Sequence, residues 1–385
     1  MFWVINMLTR FEVQNYKNFK DKIVIDFKSL GEYKFNSDCL YNKVISKLMI
    51  YGRNASGKTN LGSALLDASD FYIYRRRDQT FTNADTKNEF AKFKYCFEFG
   101  EDIVEYIYEK DENSTFTKEG LYINNNKIYF IDYIKEELIV GDLASVSAET
   151  LVVERFNDTL SDYLDDDIGR GRKPSFLRWM AANSALKNDS VIISIVNYLD
   201  KMQLITVGSL ASNPRIMQTH MFEVYGDEFV RDLEMFFNQK GIECKLILKT
   251  LPEGEKKLYF NYSKPVPFFE NASSGTIALF NLYRRIILPA REASLIYLDE
   301  FDAFYHYELS ENILKYLKNN YPKTQIIITT HNTNLMTNRL SRPDCLFILS
   351  LDGKLTSLNN ATERELREGH NLEKLYISGE FEKYE

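Results

Sequence analysis

The chain has 385 residues, of which 44% are hydrophobic and 27% charged, and its formal net charge is −7. These values are ordinary for a soluble globular protein, and 14% aromatic residues predict packed structure without long disordered linkers. The acidic balance argues against coating of nucleic acid by the whole surface. No apolar run reaches the roughly 18 residues of a membrane span, so we expect a cytoplasmic protein without a membrane partner.

The four cysteines lie far apart and form no C-x-x-C pair. They are Cys39, Cys96, Cys244 and Cys345. This spacing predicts buried thiols in a reducing compartment and argues against a zinc site or a disulfide framework.

Strand patterns dominate the first third of the chain. Residues 8–51 alternate like strands and end in an apolar run, Val44 to Tyr51, which is typical of a buried central strand. A helix is expected from the Gly57-Lys58 turn through Ala68. Residues 88–130 contain further strand patterns, and the Asn124-Asn125-Asn126 break predicts a hairpin in an antiparallel lobe.

The rest of the chain changes pattern twice. Residues 132–240 have helical periods, and residues 243–262 return to strand. Helices and buried strands then alternate, and we expect helix 275–288, strand 294–299, helix 307–319, strand 324–330 and strand 345–350. The order predicts an α/β fold that is interrupted by an inserted helical lobe.

The sharpest motif is a phosphate loop that runs from Gly52 to Thr59 and reads Gly-Arg-Asn-Ala-Ser-Gly-Lys-Thr. In such a loop the backbone N–H groups point at the phosphates, Lys58 reaches the β and γ oxygens, and the Thr59 hydroxyl ligates Mg²⁺. A buried strand before it and a helix after it favour this function over a chance glycine turn. We expect ATP to be bound by Gly52, Asn54, Ala55, Ser56, Gly57, Lys58, Thr59 and Asn60.

A second motif is an apolar strand that starts at Ser294 and ends in two acids, Asp299 and Glu300. Asp299 is expected to hold Mg²⁺, and Glu300 to act as the general base that polarises the attacking water. The alternative is a strand that ends in a solvated acidic turn. The phosphate loop makes the catalytic interpretation the stronger one.

A third motif is Ser273-Ser274-Gly275-Thr276 at the start of a predicted helix. Small hydroxyl residues and a glycine at a helix N-terminus can cradle an anion. Because each subunit already has a phosphate loop, this cradle would serve a partner's γ-phosphate. The alternative is an ordinary serine N-cap.

A fourth motif is the strand from Gln325 to Thr330, which delivers His331 to its end. A histidine there could hydrogen-bond the γ-phosphate and sense its loss. A structural histidine is the alternative. The position of His331, 31 residues after Glu300 (331 − 300), favours the functional role.

Taken in this order, the four motifs resemble those of ABC-type ATPases of the SMC and RecF kind. Within that class the chain looks most like the AAA-type ATPases related to OLD proteins and RloA. The features that carry this resemblance are Phe11 to Phe19, Asn54-Ala55-Ser56, Ser273 to Thr276, Asp299-Glu300-Phe301-Asp302 and the segment from Gly369 to Gly379. The resemblance covers roughly residues 1–100 and 265–385.

This resemblance implies an ABC/SMC-type P-loop ATPase head that closes around Mg-ATP as a homodimer or a higher even-numbered oligomer. Lys58, Glu300 and His331 would be catalytic. Ser273 and Gly275 would face the other subunit's ATP, and Asp302 would couple the two sites. Ala272 stands where leucine is usual in the signature, and Gln79 is a candidate for the glutamine that links ATP to the lobe, with a solvated loop as the alternative.

The expected domains follow from these assignments. Residues 1–131 would form the first half of the head, with the phosphate loop and the antiparallel lobe. Residues 132–240 would be the helical insertion. Residues 241–385 would form the second half, with the signature, the acids and the histidine.

A few other features have weaker interpretations. The Arg75–Arg77 run could touch a nucleic acid or be solvated. Residues Arg170–Lys173, beside Asp165–Asp167, look self-neutralising, with partner docking as the alternative. His306 is expected to be structural, and His220 and His370 carry no signal.

Many proteins of the class that the chain resembles serve bacterial anti-phage defence. The resemblance therefore implies an ATP-driven sensor or scaffold of an abortive-infection system with a separately encoded effector, for which a nuclease is one candidate. A RecF-like DNA-repair ATPase and a nucleotide-locked scaffold without turnover are the alternatives. We expect no nuclease activity in this chain, because only 54 residues follow His331 (385 − 331) and the acids at 165–167 are consecutive.

Overall fold

The computed structural model describes residues 6–69, 82–158, 174–206, 218–304 and 307–385, with the backbone alone at 218–221 and 303–304. The chain divides into two compact units. The first lies within Met1–Leu204 and Ala293–Glu385, and the second is Ile205–Glu292.

The strands in chain order are β1 (Asn6–Gln14), β2 (Ile23–Asp26), β3 (Leu40–Tyr41), β4 (Val44–Ile45), β5 (Lys47–Tyr51), β6 (Ala91–Phe99), β7 (Asp102–Lys110), β8 (Phe116–Ile123), β9 (Asn126–Asp132), β10 (Glu137–Val140), β11 (Met202–Ile205), β12 (Leu246–Thr250), β13 (Lys256–Phe260), β14 (Val266–Pro267), β15 (Leu295–Leu298), β16 (Gln325–Thr330), β17 (Leu346–Leu349) and β18 (Leu355–Ser357).

The helices are α1 (Lys58–Leu65), α2 (Phe176–Asn183), α3 (Val191–Asp200), α4 (Gln218–Gln239), α5 (Phe268–Asn271), α6 (Ser274–Leu282), α7 (Leu288–Ala290), α8 (Tyr307–Asn320) and α9 (Leu372–Ile377). A π-helical turn, Tyr283–Ile287, joins α6 to α7. Short 3₁₀ turns connect several other elements.

One sheet of the first unit is antiparallel and has seven strands in the order β10-β9-β8-β7-β6-β1-β2. The hairpin between β8 and β9 turns at Asn124 and Asn125, whose φ angles of 50° and 65° are left-handed. Asparagine tolerates this conformation better than most residues, which suits a tight hairpin turn. The predicted antiparallel lobe and its hairpin are confirmed.

The other large sheet has the order β11-β15-β16-β5-β17-β18, and β15, β16, β5 and β17 run parallel. Every residue of β5, β15, β16 and β17 is buried, which explains their nearly continuous apolar sequences. The predicted α/β class is confirmed. The apolar run from Val44 to Tyr51 is divided into two strands, because Ser46 between them donates its N–H and its hydroxyl to the Cys39 carbonyl.

Helix α1 ends at Leu65 and does not continue to Ala68 as predicted. The Tyr95 hydroxyl of β6 lies 3.1 Å from the carbonyl oxygens of both Ala64 and Leu65, so it provides a tertiary hydrogen bond for the end of the helix. Just beyond, the Asp67 carboxylate binds a buried lysine of β7 at 2.7 Å. The antiparallel sheet therefore sets where α1 stops.

A buried carboxylate, Glu119 of β8, joins α2 to the antiparallel sheet. It is 0% exposed. It accepts hydrogen bonds of 2.7–3.0 Å from the hydroxyls of Tyr106, Tyr129, Tyr133 and Ser175 and from the backbone N–H groups of Phe176 and Leu177. The last two N–H groups lie in the first turn of the helix, where no carbonyl of the helix itself can accept from them and a negative charge is favourable.

The second unit contains α4, a three-stranded sheet in the order β12-β13-β14, and helices α5 to α7. Helix α4 bends at Gly226, whose φ of 53° is not helical. The predicted helical segment 132–240 is thus shared between the units: α2 and α3 lie in the first and α4 in the second. Glu119 explains why α2 lies with the first unit.

All four cysteines are free and buried, as the sequence predicts. In the part of the chain that the structure describes, no helix is long and apolar enough to cross a membrane.

We expect Glu119→Gln to lower the free energy of unfolding by about 2–4 kcal/mol, because the amide keeps the shape but turns an N–H₂ group towards buried donors. Urea denaturation would measure this. The control is Glu105→Gln on the solvent side of the same sheet, because Glu105 forms a partly exposed ion pair with Lys94. This change should alter the free energy of unfolding by less than about 1 kcal/mol. Equal effects of both changes would contradict the role given to Glu119.

Candidate nucleotide site

The site lies at one edge of the parallel sheet, where β15, β16 and β5 end side by side. The phosphate loop follows β5, the two acids follow β15, and His331 follows β16. Strand β16 lies between the other two, with Thr330 opposite Tyr51 and Ile328 opposite Leu298. Because parallel neighbours end at the same edge, three distant segments meet there.

The phosphate loop needs its two glycines, Gly52 and Gly57, for different reasons. Gly57 has a φ of 101°, in the left-handed region. A Cβ on Gly52 would lie 2.7 Å from both the Leu349 carbonyl oxygen and the Ser56 hydroxyl. The Ser56 hydroxyl itself is buried and has no hydrogen-bond partner among the described residues.

Asn18, in the loop after β1, clamps the phosphate loop from outside. Its amide nitrogen donates to the Ser56 carbonyl at 3.2 Å, and its amide oxygen accepts from the Asn60 side chain at 2.7 Å. A Cβ on Gly57 would lie 2.3 Å from the same amide nitrogen. Sequence reasoning missed this role, and the only available signal was that Asn18 belongs to the Phe11-to-Phe19 stretch.

The Lys58 ammonium points back into the phosphate loop. It donates to the carbonyl oxygens of Gly52 at 2.8 Å and Arg53 at 3.0 Å. Burial lowers the pKa of Lys58, and the neighbouring carboxylates, Glu300 first among them, oppose that shift. The cation therefore lies between the loop and the acids that follow β15.

Asp299 joins the loop to the central strand. Its Oδ2 accepts from the Thr59 hydroxyl at 2.6 Å, and its Oδ1 accepts from the Thr329 hydroxyl at 2.8 Å. Thr59 and Asp299 are 240 residues apart in the chain. The structure thus brings together the hydroxyl and the carboxylate that the sequence assigned to Mg²⁺.

Glu300 has an unusual backbone. Its φ is 49°, in the left-handed region, which costs a non-glycine residue about 1–3 kcal/mol. Its N–H donates to the Thr329 hydroxyl at 2.8 Å, and its side chain is half-buried. A strained conformation held by a hydrogen bond is common at functional sites.

Asp302 and His331 complete this edge. Asp302 is buried, and its Oδ2 accepts from the Thr330 hydroxyl at 2.9 Å. Its Oδ1 is buried without a hydrogen-bond partner among the described residues. His331 is exposed directly after β16.

The C-terminal segment reaches the same edge. Glu385 pairs with Arg53 of the phosphate loop at 2.9 Å. The Thr333 hydroxyl, just past His331, donates to Glu373 of α9 at 3.3 Å. The sequence did not predict these contacts, because charge pairing between such distant residues has no local pattern.

The Ser-Ser-Gly-Thr motif belongs to the second unit. Ser273 is the N-cap of α6, where its hydroxyl accepts from the Thr276 N–H at 3.1 Å. Ser273, Ser274 and Gly275 are exposed, and among the described residues a Cβ on Gly275 would approach within 4 Å of the Ser273 hydroxyl alone, at 3.8 Å. Ser273 therefore caps the helix, as the alternative interpretation of this motif expects, and the helix N-terminus is exposed to solvent.

Several predicted features lie outside the described residues. These are Gln79, Arg75–Arg77, Asp165–Asp167, Arg170–Lys173 and His306, together with the side chain of His220. His370 is described, and its Nδ1 accepts from the Arg367 N–H at 3.1 Å, a local contact.

A buried strand, a phosphate loop, a helix and a second parallel strand of the same sheet that ends in acids define a P-loop ATPase domain. The chain belongs to the family described as "AAA domain, putative AbiEii toxin, Type IV TA system", whose match covers residues 48–337. This range contains the phosphate loop, the Ser-Ser-Gly-Thr motif, both acids and His331.

Solved structures that are similar to the chain include SMC heads and RecF. A SmcHead bound to the C-winged helix domain of ScpA is 15% identical, with a TM-score of 0.48 and coverage of 91% of this chain and 97% of that one. The SMC head domain from Thermotoga maritima is 16% identical, with a TM-score of 0.42 and coverage of 91% and 98%.

The recombination mediator protein RecF of the RecFOR pathway is 15% identical, with a TM-score of 0.44 and coverage of 91% and 98%. Since these TM-scores lie below 0.5, the ATPase class depends on the family match and on the motifs. Among curated proteins, none matches the chain significantly.

We expect Asn18→Ala to weaken ATP binding about 3- to 10-fold, because it removes the hydrogen bond that fixes the Ser56 carbonyl and the loop shape. Isothermal titration calorimetry would measure the affinity. Asn113→Ala, at an exposed turn of the antiparallel sheet, is the control and should leave it unchanged. Wild-type affinity in the Asn18 variant would show that the clamp does not shape the loop.

Proposed function

We propose that the chain binds Mg-ATP at the edge of the parallel sheet and hydrolyses it. The observation that carries this proposal is the contact of 2.6 Å between the Thr59 hydroxyl and the Asp299 carboxylate. A hydroxyl at the end of a phosphate loop and an acid at the end of another strand of the same sheet are the ligands that hold Mg²⁺ in P-loop ATPases.

The residues present fit this ligand. The Ser56 hydroxyl and the Asp302 Oδ1 are buried polar atoms without described partners, which a bound polar group would relieve. The glycine positions keep the loop free of Cβ atoms that would displace Ser56 and Asn18. Thr59 and Asp299 would hold Mg²⁺, which supplies charge neutralisation at the β and γ phosphates.

Three side chains of the protein would then have separate roles in hydrolysis. Lys58, now on the carbonyls of Gly52 and Arg53, would turn its N–H donors to the β and γ oxygens. Glu300 would accept a proton from the attacking water. His331, exposed beside it, would donate to the γ-phosphate and respond to its loss.

We place the second half of each site in another copy of the chain. Ser273 and Gly275 are exposed at the N-terminus of α6, where free N–H groups favour an anion. A head-to-head homodimer, or a higher even-numbered assembly, would bring this helix end to the partner's γ-phosphate. Asp302, whose Oδ1 has no hydrogen-bond partner among the described residues, would couple the two sites across the interface.

The cellular role that we propose is a cytoplasmic sensor or scaffold of an anti-phage, abortive-infection system. ATP-driven closing and opening would hold and release a separately encoded effector. The family description, which names a toxin and a toxin–antitoxin system, supports a conditional role of this kind.

An ATPase assay with and without DNA tests the role. Basal turnover without DNA stimulation supports the proposal. Strong stimulation by DNA would instead indicate a RecF-like repair ATPase, and ATP binding without turnover would indicate a nucleotide-locked scaffold.

We expect Glu300→Gln to keep ATP bound while slowing hydrolysis by about 10²- to 10⁴-fold, the usual contribution of a general base. The closed dimer should then accumulate with ATP and not with ADP. Phosphate release and sedimentation velocity would measure the two effects. The same assembly state with either nucleotide would argue against closure around ATP.

We expect a mixture of Lys58→Ala and Ser273→Arg chains to regain activity that neither has alone. The first lacks the charge facing the phosphates, and the second places bulk against the partner's γ-phosphate. In a mixed dimer one composite site is intact, so up to about half of the dimers by random pairing would carry one working site. Turnover measured across mixing ratios tests this, and no recovery at any ratio would remove support for the shared site.

A further inference from the structure

Thr329 is the second-last residue of β16, and its side chain is fully buried. Its hydroxyl makes two hydrogen bonds of 2.8 Å. It donates to Asp299 Oδ1 and accepts from the Glu300 N–H. One side chain therefore contacts both consecutive acids that end the neighbouring strand.

The first contact fixes the Asp299 carboxylate. With Oδ1 held by Thr329, the carboxylate plane is set so that Oδ2 meets the Thr59 hydroxyl at 2.6 Å. Without the Thr329 hydroxyl, Asp299 Oδ1 would be a buried acceptor with no partner among the described residues. Rotation of the Asp299 carboxylate about its side-chain bonds would then become favourable. The orientation of the Mg²⁺ ligand thus depends on a residue that would not touch the metal.

The second contact holds Glu300 in place. The left-handed φ of 49° at Glu300 turns the chain sharply after Asp299, and the N–H of this residue is the group that Thr329 binds. Releasing the N–H would let the backbone relax towards an ordinary conformation. The Glu300 carboxylate would move with it.

We propose that Thr329 is a positioning residue for ATP hydrolysis, which aligns the metal-holding acid and the general base through one hydroxyl. This inference depends on the proposed function of the same site. Outer-shell partners of this kind typically change metal affinity or activity by about 10- to 100-fold when removed. The hydroxyl acts as a donor to one acid and as an acceptor from the next, so neither a purely apolar side chain nor a pure donor can replace it.

The chain offers a matched control for the substitution. Thr117 of β8 is also buried, but its hydroxyl has no hydrogen-bond partner among the described residues. Thr117→Val therefore makes the same chemical change inside a sheet without disturbing a polar contact. Thr329→Ser keeps the hydroxyl and loses only the methyl group.

The test compares Thr329→Val, Thr329→Ser and Thr117→Val in the full chain. We expect Thr329→Val to lower kcat by about 10- to 100-fold and to raise the Mg²⁺ concentration for half-maximal activity, with ATP affinity in the absence of Mg²⁺ changed less than about threefold. Thr329→Ser and Thr117→Val should stay within about threefold of wild type. Wild-type kcat and Mg²⁺ dependence in Thr329→Val would overturn the proposal.

A second measurement does not need turnover. Titration of ATP with and without Mg²⁺ gives the factor by which the metal strengthens binding, and we expect Thr329→Val to reduce this factor about tenfold. On an Asp299→Asn background the same change should have almost no further effect, because Thr329 acts on the metal through Asp299. Equal effects on both backgrounds would overturn the proposal.

The experiments distinguish a failure of the proposed ATP hydrolysis from a failure of the role proposed for Thr329. If the wild-type chain binds Mg-ATP without turnover, the hydrolytic function fails, and the metal-strengthening factor still decides whether Thr329 positions Asp299. The thermal unfolding midpoint shows whether Thr329→Val folds. If it does not, Thr329→Ala takes its place, because alanine removes the same hydroxyl without placing a methyl group against the carboxylate. The same results for kcat and for the effect of Mg²⁺ on ATP binding then support or overturn the proposal.

Discussion

The structure depends on one topological constraint: strand β16 lies between β5 and β15, and all three are parallel. Their ends therefore share one edge, and the central strand can touch the segments that follow both neighbours. Thr329 and Thr330, the last two residues of β16, use this position. Each donates its hydroxyl to a buried acid that follows β15 and accepts an N–H from the backbone.

The first unit satisfies several of its buried acids with hydroxyl and N–H groups. Asp299 and Asp302 accept from threonines, and Glu119 accepts from three tyrosines, a serine and a helix N-terminus. Neutral donors stabilise a carboxylate without cancelling its charge. At the sheet edge the Asp299 carboxylate is held between the hydroxyls of Thr59 and Thr329, and the Lys58 ammonium binds carbonyls of the phosphate loop instead of this acid.

The antiparallel sheet supports the site through the helix and the loop that it contacts. Tyr95 of β6 binds the last carbonyls of α1, and Asn18, in the loop after β1, binds the phosphate loop at the start of α1. Both ends of the phosphate-binding helix are thus attached to elements of one sheet. Attachment at both ends restricts the movement of the loop, and a loop that is already ordered would lose less conformational entropy on binding a ligand.

The sequence by itself determined what depends on local pattern. The phosphate loop was predicted from Gly52 to Thr59 because its glycines, lysine and threonine have fixed spacing, and the buried strands were predicted because such strands have nearly continuous apolar residues. The tertiary structure alone decided what depends on distant partners. Only the tertiary structure shows that α1 ends at Leu65, that Asn18 binds the phosphate loop, and that Thr329 contacts both Asp299 and Glu300. The sequence around a hydroxyl or amide group does not indicate which distant group it will bind.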